Sequence, residues 1–164
     1  MLKEVCIEAG VSDSLNGGTI IDNDIFIEKA IKTKTKAYSG RHQRALESLA
    51  SGLSSSSTLH LPYYLVRILL ENGFEYVSAG ISREALEAKI IKIHHKSDEV
   101  KTANITAMLN TLAEVQSKKD INPPIIAYDN NTRLLQVVDS TFNFFMKNAP
   151  LKAILKEISD PLKN

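Results

Sequence analysis

The sequence predicts a mainly α fold with a small β-hairpin, arranged as a winged-helix-like domain behind an N-terminal helical extension. Three features of residues 102–146 predict it. An amphipathic run ends at a proline pair, two short apolar runs flank an Asn-rich turn, and an aromatic segment follows an aspartate. In order, these are a helix, a β-hairpin and a capped helix, the back half of a winged helix.

In the first of these, Ile105, Met108, Leu109, Leu112 and Val115 recur at helical spacing, so one helix should run from Thr102 or Asn104 to about Lys118. Thr102 and Asn104 are the candidate caps. Asn104, Thr106, Asn110, Glu114 and Lys118 form its polar face. Pro123 and Pro124 end it, because the residue before a proline is driven out of the helical region.

Ile125–Tyr128 and Leu134–Val138 are strand-like, and the Asp129–Arg133 link has the side chains that tolerate tight turns. A two-stranded ribbon is marginal alone and must lie on an apolar surface. Asp139 should cap a helix whose Phe142, Phe145 and Met146 share a face. Asn148 and Pro150 stop that helix, and Leu151, Ile154, Leu155 and Ile158 mark another.

The N-terminal portion predicts helices throughout. Leu2–Ala9 is a short amphipathic helix closed by Gly10, and Ser12–Thr19 is a loop. A helix capped by Asp22 should run to about Lys34. A separate one, capped by Ser39, should run from Gly40 to Ser51. The extension is expected to occupy residues 1–38 and the winged-helix-like domain residues 39–164. Ser54–Thr58 is a turn too short to link independent domains. Pro62 suits a first helical turn, and Leu61–Asn72 is apolar on nearly every side, the mark of a buried helix ended by Gly73. Phe74–Ser78 has strand composition. Ser82 should cap a further helix, with Glu84 in its first turn and Leu86, Ile90 and Ile93 facing inward.

The chain has 164 residues, ordinary apolar content and a formal net charge of +1. That suits one domain or two small ones, and argues against a generally basic nucleic-acid coat. The single Cys6 excludes a disulfide scaffold and fits a reducing compartment. No run is long enough for a membrane span and no signal core follows Met1, so the expectation is a cytoplasmic protein.

The basic block Lys29–Arg44 contains no acid and could grip phosphates. A solvated helix face accounts for it more simply. No Walker-type loop, zinc spacing or nucleophile elbow occurs, so neither a catalytic residue, a metal nor a cofactor is expected. His94 and His95, adjacent on a helix, point about 100° apart and cannot chelate one ion together. His94 reads as a surface histidine at a helix C-terminus, and a small enzyme built on His94 and Asp98 is the weakest reading. His42 reads as part of a solvent-facing first turn. Tyr63 and Tyr64 read as core.

If the Thr102–Lys118 helix enters a major groove, Asn104, Thr106, Asn110 and Lys118 would meet double-stranded DNA, with Arg133 at the wing and help from Arg41 and Arg44. Against this, Glu114 shares the polar side, and the only positive charges there are Lys101, Lys118, Lys119 and Arg133. A protein partner is the alternative.

The run PPIIAYDNNTRLLQVVDSTFNFFMKN resembles the end of winged-helix domains that follow the P-loop module in some prokaryotic AAA+/STAND ATPases. The segment SGRHQRALESLASGL resembles the helix after the lid of such proteins. The resemblance implies a C-terminal effector or regulatory module covalently linked to an ATPase domain, with a lid remnant near residues 20–38.

Overall fold

The computed structural model describes residues 2–10, 24–53 and 58–163. The expected loop at Ser12–Thr19, the Asp22 cap and most of the serine turn fall outside them.

Helix α1 (Leu2–Glu8) packs on α2 (Asp24–Ser51), a single helix of 28 residues. The two helices expected here are therefore one continuous rod, which runs through residues 38 and 39. Ser39 caps nothing: its hydroxyl donates to the Thr35 carbonyl one turn back, 2.9 Å away. A mid-helix glycine such as Gly40 costs about 1 kcal/mol. Burial of Ala45, Leu46 and Leu49 beyond it is worth more than that.

Helix α3 (Leu61–Ser78) starts with Pro62 in its first turn and is the centre of the core. Leu65, Val66, Ile68, Leu69 and Leu70 are all buried, as the all-round apolar pattern predicts. Gly73 breaks the helix at φ 72°, ψ −168°, a conformation available essentially to glycine alone. The chain then turns helical again, so Phe74–Ser78 is not the expected strand. Val77 is buried, and Phe74 and Tyr76 pack against the core from this last turn. That packing outweighs the weak strand preference of the aromatic residues.

Strand β1 (Ile81–Ser82) leads into α4 (Arg83–Ile93), with the Ser82 hydroxyl accepting from the Ala85 N–H at 3.1 Å. A 3₁₀ turn (Ser97–Glu99) connects to α5 (Thr102–Asn110) and α6 (Leu112–Lys118). The single helix expected here is parted at Thr111. There the hydroxyl donates to the Met108 carbonyl at 2.9 Å, the back-bonding by which threonine bends helices. Lys101, not Thr102, is the residue before the helix, and the Asn104 side chain accepts its N–H at 2.9 Å.

Strands β2 (Ile126–Asp129) and β3 (Leu134–Val137) form the expected hairpin, Ile126 opposite Val137 and Asp129 opposite Leu134. The Asp129 carboxylate accepts from the Asn131 N–H and the Thr132 hydroxyl, both at 2.8 Å, and shapes the turn. β1 adds antiparallel to β3, Ile81 opposite Leu135, in a three-stranded sheet ordered β1-β3-β2. Asp139 caps α7 (Ser140–Asn148), whose Phe142, Phe145 and Met146 are buried against α2 and α3. Helix α8 (Leu151–Glu157) lies on α3. The molecule is thus mainly helical with one small antiparallel sheet.

Candidate nucleic-acid interface

The residues expected to meet DNA line different clefts, and several are engaged in local bonds. Asn104 is half-buried, spends its side-chain oxygen on Lys101, and lines an apolar cleft of about 350 Å³ beside Gly52 and Pro62. Thr106 donates to the Thr102 carbonyl at 2.9 Å. Asn110 is exposed but lines a different groove of about 210 Å³, between α6 and the hairpin. Lys118 is paired with Glu114 one turn before it. Arg133 is exposed in the hairpin turn at φ 55°, its guanidinium 3.8 Å from Glu84 and its carbonyl accepting from the Arg83 N–H.

Arg41 and Arg44 do come together, in a cleft of about 390 Å³ between α2 and the link after α6. Lys119 joins them there, and Asp120 is the acid of its wall. Arg41 is not free to serve a ligand: one terminal nitrogen lies 2.6 Å from the Asp139 carboxylate, whose side chain is only 4% exposed. That carboxylate also accepts from the Thr141 N–H at 2.7 Å, the Thr141 hydroxyl at 2.6 Å and the Phe142 N–H at 3.1 Å. Burial alone would raise the Asp139 carboxyl. The Thr141 hydroxyl, the two N–H groups and Arg41 outweigh it and hold it below its ordinary value.

His42 completes this network from inside. It is fully buried, not in a solvent-facing turn, and its Nε2 lies 3.1 Å from the Thr141 hydroxyl. That hydroxyl spends its proton on Asp139, so Nε2 carries the proton and donates. Nδ1 is buried without a partner among the described residues, beside the rings of Tyr38, Phe142 and Phe145. Burial, and secondarily the Arg41 charge, hold His42 below its usual value. The arrangement locks α2 to the start of α7.

His94 is also buried rather than on the surface. Its Nε2 donates to the Leu59 carbonyl at 2.7 Å, and Nδ1 accepts from the Lys96 N–H at 2.9 Å. With both nitrogens bound to backbone, it has none left to act as a base on a substrate. The Tyr64 hydroxyl lies 2.9 Å from His95 Nδ1, and the His94 and His95 rings stack with centroids 4.6 Å apart. No group of three or more metal-ligating side chains occurs among the described residues, and none of their helices is long and apolar enough to cross a membrane.

Gln116 is the residue that links helix and hairpin. Fully buried, it donates through Nε2 to the Leu112 and Ile126 carbonyls at 3.1 and 2.8 Å, and accepts through Oε1 from Ile125 N–H at 2.9 Å and Ile126 N–H at 3.2 Å. Its amide satisfies the backbone of β2, the edge strand, much as another strand would. The sequence carried a signal for it: Gln116 stands four residues after Leu112 and seven after Leu109, on the apolar stripe itself. Lys119 and Thr141 left no such signal. Comparison with protein-family models, curated proteins and solved structures returned no match.

Proposed function

We propose that this chain is a non-enzymatic winged-helix module whose ligand is double-stranded DNA. The support is the connection order. A helix (α3), a short strand (β1), two helical segments (α4, then α5–α6) and a hairpin follow one another, and β1 pairs with the hairpin's second strand. That pairing is the single observation carrying the reading, because a strand from before the two helical segments paired to the hairpin is what a wing requires. Outward, α5 presents Thr102, Ala103, Ala107 and Asn110, small and uncharged side chains that let a helix backbone approach a groove closely. Arg133 at the wing tip would grip a phosphate. The test is anisotropy of a labelled duplex at increasing salt. Binding should weaken steeply with salt, Ala107→Glu should abolish it, and Arg133→Ala should lower the salt slope by roughly one. A duplex bound equally well by Ala107→Glu removes α5 from the interface.

A second reading, a protein-interaction or regulatory surface without DNA, is favoured by a separate observation. Lys118 is paired with Glu114 and Lys101 is tied to the Asp98 carbonyl, so the face has little free positive charge where DNA-binding faces are usually basic. Silence on duplex at low salt, with a partner recovered on the same face, would favour it.

We propose further that the module belongs to the regulatory end of a P-loop ATPase. Its support is that the two segments carrying that resemblance are packed together, Arg41 on Asp139 and His42 on Thr141. The likeness therefore falls on one structural unit.

A further inference from the structure

The geometry points to a phosphoryl-binding site in the cleft between α2 and the link after α6, with Arg44 and Lys119 as its cationic walls. Two stretches more than seventy residues apart in sequence meet there. One wall is a face of α2 carrying Arg41, Arg44 and Ser48. The other is the residue 119–122 link. The volume, about 390 Å³, holds a phosphate or diphosphate group with room for bridging water.

The charges of this cleft are not alike. Arg41 is neutralised by the buried Asp139. Arg44 donates through Nε to the Gly40 carbonyl of its own helix at 2.8 Å. That bond orients the guanidinium and leaves its two terminal nitrogens without a partner among the described residues, the fork that suits two oxygens of one anion. Lys119 reaches only the Ser51 hydroxyl, at 3.1 Å, and pairs with no acid among the described residues. Asp120, at φ 54°, makes no ion pair with Arg44 or Lys119. It sets a ceiling on affinity and selects for ligands with more than one negative charge. A carboxylate ligand would gain less than a phosphoryl group, whose three oxygens can meet the fork and the ammonium together.

A strand phosphate and a free polyphosphate share this chemistry. The inference has the duplex in common with the DNA reading and does not require it. Its test uses the full chain, labelled with ¹⁵N and titrated at low salt with pyrophosphate and, separately, with a 16-base-pair duplex. Either ligand should shift the Arg44 Nε–H and the Lys119 and Asp120 amide signals. Arg44→Gln and Lys119→Gln should each weaken that binding roughly tenfold. Asp120→Asn, which keeps a side chain tolerant of positive φ, should tighten it roughly twofold to fivefold. Pyrophosphate binding without duplex binding upholds the cleft and removes the DNA reading. Duplex bound equally by the wild type and Lys119→Gln, with pyrophosphate shifting none of these signals, removes the cleft and leaves the DNA reading standing. Neither ligand shifting these signals overturns the inference.

Discussion

Asp139→Ala should destabilise the fold far more than its place at the end of a strand suggests. The carboxylate caps α7 through two N–H groups, accepts the Thr141 hydroxyl and holds Arg41. Loss of an aspartate cap costs about 1 kcal/mol. The orphaned Thr141 hydroxyl adds about 1 kcal/mol. Arg41 is 39% exposed, so its ion pair is screened and adds at most about 0.5 kcal/mol. The sum is about 2 kcal/mol, or a fall in Tm of roughly 4–8 °C for a chain of this size. Asp139→Asn keeps a capping oxygen and removes the charge, so it should lose about half as much. Urea unfolding followed by circular dichroism at 222 nm measures all three changes, including a double-mutant cycle with Arg41→Ala whose coupling should be about 0.5 kcal/mol. An Asp139→Ala loss below about 0.5 kcal/mol, or Asn and Ala variants that unfold together, would refute the capping account.

Gln116→Leu should cost about 2–4 kcal/mol, because it strands the Ile125 and Ile126 N–H groups and the Ile126 carbonyl in a buried place. Hydrogen exchange should show β2 opening first, and unchanged β2 protection would contradict this. Gly73→Ala should cost about 1–3 kcal/mol from backbone strain alone, since the nearest atom to an added Cβ is Leu151 Cδ1, 3.8 Å away. A thermal melt matching wild type would show that the kink relaxes. The acid dependence has two limbs. His42 is held below its ordinary 6.5, so the unfolded chain takes up the proton first and stability falls as pH drops from about 6.5. His95, exposed but held low first by desolvation and then by His94 and Lys96, adds to this limb. Asp139 is held below 3.8, so its contribution is whole above that value and is lost as pH falls through the lowered one. Unfolding midpoints from pH 8 to 3 should show both limbs, with His42→Gln flattening the upper one. An unchanged upper limb would remove His42 from the account.

The elements whose signal is local were legible in the sequence. The Asp139 cap, the Ser82 cap, the hairpin around Asn130 and the buried stripe of α3 all follow from side chains acting within a few residues of themselves. The same local rules put a break before Gly40 and a strand at Phe74. They failed there because packing of Leu46, Leu49 and Val77 against distant elements outweighs preferences of about 1 kcal/mol or less. Of the expected DNA contacts, residue type was readable and grouping was not. Asn104 and Asn110 lie on one helix yet line different grooves, and Arg41 meets Asp139 across 98 positions. Such pairings depend on where two helices cross, and a single chain read in order carries no distance between its ends. By itself the sequence determined most of the helical segments, the hairpin, and the Ser82 and Asp139 caps. The tertiary structure decided which charges are already satisfied, which histidines are buried, and that Arg44 and Lys119 face the same cleft.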